Sequence, residues 1–323
     1  MGSFLKTLLA ILLTISITGF ILWIYFETKI SHITFTAEFK PEEVNAHTEG
    51  QTEKSTSSKF AIALFGLDAR QEGERARSDT IMILLIDHAK KKIKLASIMR
   101  DLYVYVPTYG KRKINSAYEL GGPKLALSTL NRTFKLSLTK YATVDFRGFE
   151  KIIDAVGGVD IDVKYYELEH ININMREVKN LIGGDVPEVK RPGLQRLNGR
   201  QALGYVRIRY VGNGDYERVQ RQQRVLEQVF EKLKNASIST KLRIIDMVLP
   251  YIETNLTRSE IISLATKNYS KYTLERIRIP INGSFREGYT VIDGVKQWIF
   301  DTDIEKNIQA LHEFFETGLP SNP

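Results

Sequence analysis

Residues 60–68 read FAIALFGLD. An almost unbroken apolar run that closes on a turn and an aspartate is the pattern of a strand buried on both faces of a sheet. A second such run, DTIMILLID, covers 79–87. KIKLASIM (92–99) alternates, and LYVYVP (102–107) is rich in aromatic and branched side chains, so both predict strands. Further strands are expected over 140–146, 159–163 and 275–281. Helices are expected over 123–134, with Pro123 in the first turn, and over 147–156, closed by Gly157-Gly158. A short helix capped by Asn198 follows over 197–207, then a long one after Asp215 and others over 241–250, 258–268 and 303–316. Residues 164–192 are polar and read as a long loop or insertion. Strands alternating with helices predict an α/β protein, a three-layer α/β/α sandwich around a central mixed sheet.

The chain has 323 residues, 43% hydrophobic and 26% charged, enough for a sizeable core. It has no cysteine, so disulfides and thiolate chemistry are excluded. A net charge of +8 favours anionic partners. Residues 7–26 carry no charge, which matches the roughly 20 residues that cross a bilayer as a helix. The run is longer than a signal-peptide core and ends in bulky residues, among them Trp23 and Tyr25, so it predicts an uncleaved anchor. Lys6 and the amino terminus precede it, and Glu27 and Lys29 roughly cancel after it; the expected orientation is N-in, C-out. The expected organisation is an anchor over 1–26, a polar extracellular stalk over 27–59 and an extracellular domain over 60–323. This topology argues against nucleic acid as the anionic partner.

Charge gathers at the strand ends. FAIALFGLD ends at Asp68, with Arg70 beyond it; Arg77 and Asp79 open the second run; KLASIMRD ends at Arg100-Asp101. Ligands of open α/β sheets bind where strand ends and loops converge. YVRIRYVGNGDYERVQRQQR (205–224) adds Arg207, Arg209, Asp215, Arg218 and Gln222. Two like charges about 4 Å apart repel by about 4 kcal/mol at an effective dielectric near 20, so grouped arginines require anions among them. Arginine forks suit phosphate, and carboxylates suit Mg²⁺, which takes one or two of them plus phosphate oxygens. Blander readings exist for each: Asp68 as a turn residue, Asp79 paired with Arg77, Asp215 as a helix N-cap, Arg207 and Arg209 on a solvated strand. The histidines show no metal-site spacing, and there is no phosphate loop, GxGxxG or GxSxG.

GLDAR (66–70), RSDTIMILLID (77–87), LASIMRDLYVYVP (95–107), KINSAYELGG (113–122), FEKIIDAVGGVDIDV (149–163), LNGRQALGYVRIR (197–209) and DYERVQRQQRVL (215–226) together resemble the LytR-CpsA-Psr family in order and spacing. The resemblance implies a cell-membrane phosphotransferase that moves a teichoic-acid or capsule-type glycopolymer from undecaprenyl pyrophosphate to a peptidoglycan acceptor. It implies an apolar lipid pocket with the pyrophosphate and Mg²⁺, or Mn²⁺, at its mouth. Carried over by position, Asp79 is the main metal contact and Asp68 a metal-shell residue or base. Arg70, Arg77, Arg100, Arg207, Arg209 and Arg218 are substrate contacts, joined by Gln222, with Asp215 the alternative base. Two other functions are compatible with such a site: a non-catalytic membrane sensor of cell-wall intermediates, and a polyprenyl-pyrophosphate phosphatase.

Overall fold

A computed structural model describes residues 34–46, 58–68, 76–209, 211–212 and 214–317. The expected anchor over 7–26 and Arg70 lie outside them. Among the described residues no helix is long and apolar enough to cross a membrane.

The apolar runs form the middle of a seven-stranded mixed sheet, in the order β1-β10-β7-β2-β3-β4-β11. Here β1 is Thr34–Phe35, β2 Lys59–Leu67, β3 Ser78–Asp87, β4 Lys92–Ile98, β7 Tyr141–Val144, β10 Ile252–Thr254 and β11 Thr273–Ile279. β2, β3 and β4 are antiparallel neighbours, with Phe65 opposite Ile81 and Ile81 opposite Ile98. β7 joins β2 and β11 joins β4 in parallel. Both faces are covered, which is why these strands read as apolar runs.

On one face Phe65, Ile83 and Ile98 pack against α1 (Ser116–Phe134) and α8 (Ile304–Glu316) through Leu127, Phe134 and Leu311. Pro123 opens the second half of α1, after a kink at Gly121 and Gly122. Gly122 has φ 64°, a conformation that glycine adopts without the steric cost of a side chain. The other face carries α2 (Phe146–Ala155), α4 (Gly199–Val206) and α5 (Asp215–Asn235), followed by α6 (Ile238–Val248) and α7 (Arg258–Thr266). Two hairpins flank the site: β5 (Tyr103–Val106) with β6 (Gly110–Lys113), and β12 (Phe285–Ile292) with β13 (Val295–Thr302). The second of these was not among the expected elements.

Two expectations need correction. Residues 164–192 are not a plain loop: α3 spans Leu168–Ile182 and buries Ile171, Met175 and Val178. Its helical period is thin because only one narrow stripe is apolar. With the hairpin of β8 (Val159–Val163) and β9 (Gly193–Leu197), α3 builds a second core under α4. Residues 34–46, expected in the stalk, pack on the domain instead. Val44 is fully buried, Asn131 donates from Nδ2 to the Val44 carbonyl at 2.8 Å, and Phe39 stacks on Tyr141. Their apolar side chains find partners that a polar stretch read by itself does not reveal.

Close approach of α3 and α4 requires Gly204, where a Cβ would sit 2.7 Å from the Ile171 carbonyl oxygen. Gly204→Val should therefore destabilise the domain by about 1–3 kcal/mol, the usual cost of overpacking. The denaturation midpoint checks this, and a wild-type midpoint would rule out the tight contact.

Candidate active site

Asp79 is placed by an irregularity in the sheet. Gly66 of β2 faces Thr80 of β3, and the next residue, Leu67, faces Ser78, so Asp79 is the unpaired residue of a bulge. Bulges re-aim side chains at sheet rims. Gly66 fits the bulge, since a Cβ there would lie 3.0 Å from Thr80 Cβ. The Asp79 carbonyl is thereby left out of the ladder, and both it and the side-chain carboxylate are open to other contacts.

Three arginines from distant segments take them. Arg100, which follows β4, donates from Nη1 to Asp79 Oδ2 at 2.7 Å. Arg209, between α4 and α5, donates to the same oxygen. Arg218, one turn into α5, donates from Nη2 to the Asp79 carbonyl at 2.5 Å. Asn115 approaches Asp79 Oδ1 at 3.4 Å. Arg100 also reaches Asp101 at 3.1 Å, and Asp101 is held in turn by Lys113 Nζ at 2.8 Å. Asp215 sits 3.7 Å from Arg100 and 3.1 Å from Arg218. On the far side, Arg207 stands 3.5 Å from Asp68 and lies over the Phe146 ring.

The expected residues that lie within the described range thus converge, though in other pairings. Asp79 pairs not with Arg77 but with Arg100 and Arg209; Arg77 binds Glu119 at 2.7 Å on the half-exposed rim. Asp215 is the first residue of α5 rather than its cap, which is Gly214. Arg207 and Arg209 are not on a strand: they follow α4, with Ile208 buried between them and Val206 buried at the helix end. Gln222 lines the apolar side of the site. Asp101 belongs to the acids expected at the strand ends, whereas Lys113 and Asn115 have no assigned role within KINSAYELGG. Arg221, three residues from Arg218, is fully buried and bound to Glu167 and Glu217 at 2.8 and 2.6 Å, so it ties α5 to the start of α3.

The electrostatics are strained in both directions. Burial pushes the Asp79 carboxyl up, but the guanidiniums of Arg100, Arg218 and Arg209 outweigh it and hold the group below the ordinary carboxylate range. Arg218 is wholly buried; burial first, then the like charge of Arg100, pull it down to about 10 despite Asp215. Buried charge is costly unless it is matched. Matching is incomplete: Asp68 Oδ1, Asp215 Oδ1, Arg207 Nε, and Arg218 Nε and Nη1 are buried without a hydrogen bond. The 3.1 Å ion pair of Arg218 with Asp215 is close in distance but lacks hydrogen-bond angles.

Two cavities meet at this cluster. One, of about 260 Å³, runs between the sheet and the second helical layer; Leu64, Met82, Phe149, Ile152, Leu203 and Leu226 line it. Asp79, Arg207, Arg209 and Arg218 form its polar end. The other, of about 350 Å³, is polar and shares Asp68, Asp79 and Arg209 with the first. Among the described residues no group of three or more His, Cys, Asp or Glu side chains is gathered for a metal. Asp68 and Asp79 do stand together on both cavities. Asp68, with a buried oxygen that accepts no hydrogen bond, and Asp79, whose Oδ1 has only the long contact with Asn115, suit Mg²⁺ when phosphate supplies further ligands.

This α/β domain thus joins an apolar cavity to a cluster of arginines and carboxylates. The chain belongs to the LytR-CpsA-Psr family, whose model, LytR_cpsA_psr family, matches residues 23–311. It is 35% identical over 263 residues to the regulatory protein MsrR of Staphylococcus aureus, covering 80% of this chain and 75% of that one. It is 33% identical to the polyisoprenyl-teichoic acid–peptidoglycan teichoic acid transferase TagV of Bacillus subtilis, over 70% of this chain and 57% of that one. The fold matches TagT bound to LI-WTA, with a TM-score of 0.62 and 25% identity, over 88% of this chain and 95% of that one. It also matches TagT with bound octaprenyl pyrophosphate lipid, with a TM-score of 0.58 and 24% identity, over 81% and 91%.

A depressed carboxyl stabilises the fold above its unfolded pKa of about 4, and that contribution disappears as pH falls through its lower folded value. In chelator, the stability gap between wild type and Asp79→Asn should therefore shrink as pH drops below about 4. Denaturant titrations at several pH values check it; a gap that does not change with pH would mean that Asp79 is not held by the arginines.

Proposed function

We propose that the protein is a membrane-anchored, outward-facing phosphotransferase that moves a glycopolymer of the teichoic-acid or capsule type from undecaprenyl pyrophosphate to peptidoglycan. The observation that carries this is the junction of the two cavities: the apolar one suits a polyprenyl chain, and the arginine–carboxylate cluster at its end suits a diphosphate. TagT, solved with octaprenyl pyrophosphate lipid, and TagV, named as a teichoic acid transferase, support the same reading.

Arg100, Arg209 and Arg218 bind the diphosphate oxygens and stabilise charge that develops on them. Arg207 holds the side facing Asp68. Asp79 and Asp68 would hold Mg²⁺, with Asp79 offering Oδ1, since Oδ2 serves the two arginines. When bound, the ion neutralises phosphate charge as a Lewis acid. An acceptor hydroxyl oxygen forms a bond to the sugar-side phosphorus, the bond to the bridging oxygen breaks, and undecaprenyl phosphate leaves. The hydroxyl proton passes to a carboxylate. Asp68 is favoured over Asp215 because it faces both cavities and Asp215 faces neither of them. The name of MsrR favours a second reading, a regulator that binds lipid intermediates without transferring them.

In an assay with lipid-linked polymer, peptidoglycan and Mg²⁺, Arg100→Ala should lower the transfer rate by about 10²–10³-fold, the usual cost of losing one charge-stabilising donor. Asp68→Asn should lower it by about 10²–10⁴-fold, and Asp215→Asn by less. Binding of the lipid without any covalent adduct in wild type would support the regulator instead, and full transfer by Arg100→Ala would reject the site.

A further inference from the structure

The polar cavity does not end at the cluster. Arg77, Lys113 and Glu119 also line a further cavity of about 280 Å³, so the two form one trough leading away from Asp79. Its outer part lies between the β5–β6 hairpin and α1 on one side and the β12–β13 turn on the other, with Ser116, Leu120, Ile292 and Gln297 on its walls. Arg112 closes the end by a two-pronged ion pair with Asp293, 2.8 Å from Nη2 to Oδ1.

From this geometry we infer that the trough is the binding site for the acceptor, a glycan strand of hydroxyl- and acetamido-bearing sugars. The inference rests on the transferase reading above and deepens it. Phosphoryl transfer places the attacking and leaving oxygens roughly in line. The leaving oxygen belongs to the prenyl phosphate in the apolar cavity, so the attacking hydroxyl enters from the opposite side of the cluster. The trough opens there. Its charge fits a neutral glycan better than a polyanion: Arg77 is neutralised by Glu119, Arg112 by Asp293 and Lys113 by Asp101. The spare groups are amides. Asn115 Oδ1 is buried without a hydrogen bond, and no described residue bonds the Gln297 side chain. Amides supply both a donor and an acceptor, as hydroxyl and acetamido groups require. At about 350 and 280 Å³ the two parts each lie near the lower end of the small-ligand range, roughly 300–1,000 Å³.

The test measures binding by calorimetry on the full chain in detergent, using soluble peptidoglycan glycan oligomers and, separately, a polyprenyl diphosphate. Gln297→Ala removes the amide, and Gln297→Trp fills the trough. The expected result is a glycan Kd raised about tenfold, equivalent to about 1.4 kcal/mol, in Gln297→Ala and more in Gln297→Trp. Polyprenyl-diphosphate affinity should stay within about twofold of wild type. If Gln297→Trp fails to fold, Gln297→Ala decides. Unchanged glycan affinity overturns the assignment, as does a loss confined to the same calorimetry run with lipid-linked polymer as a third ligand, which would make the trough the donor's. Wild type that binds the diphosphate but no glycan overturns this inference alone; wild type that binds neither overturns the transferase reading too.

Discussion

The structure turns on one carboxylate. Asp79 receives Arg100 and Arg209 on a single oxygen, while its own carbonyl receives Arg218. Each of these arginines arrives on a different segment, so the sheet, the link after α4 and the start of α5 meet at this one residue. Without a central anion the guanidiniums would repel one another, by about 4 kcal/mol for each pair at 4 Å. Even with it, Arg218 remains under-compensated in a wholly buried position. The cluster is therefore cohesive but still short of negative charge, which a diphosphate would supply.

The rest of the fold supports that arrangement. The bulge opposite Gly66 frees Asp79 from the ladder. The buried pairs of Arg221 with Glu167 and Glu217 fix α5, and with it Asp215, Arg218 and Gln222. A second buried pair, Arg200 with Glu150, joins α4 to α2 behind the apolar cavity. These ion pairs position the layer that closes over the cavity. Removing one partner of such a pair leaves an unmatched buried charge, which is costly.

Much of this could be read from the sequence, for identifiable reasons. The central strands are covered on both faces, so FAIALFGLD and DTIMILLID stand out as apolar runs. The site acids and arginines stand at the ends of those runs, where sheet topology brings loops together. What could not be read depends on partners. A one-residue bulge is a property of the pairing of β2 with β3. The single apolar stripe of α3 is hidden in a polar segment. Val44 and Phe39 looked like stalk until α1 and Tyr141 received them. Arg218 and Arg221 are the same residue type one turn apart, and only the packing separates a ligand-facing arginine from a structural one. Asn115 and Lys113 carry no signal of their own; they matter because β6 ends beside Arg100.

On the proposed function, the Asp79–arginine cluster receives a diphosphate whose prenyl chain lies in the apolar cavity. The most direct measurement is a crystal structure of the described domain with a polyprenyl diphosphate. Phosphate oxygens are expected within hydrogen-bond distance of Arg100, Arg209 and Arg218, with the chain running past Met82 and Leu226. A diphosphate bound elsewhere, with Arg100 and Arg209 still closed on Asp79, would contradict it.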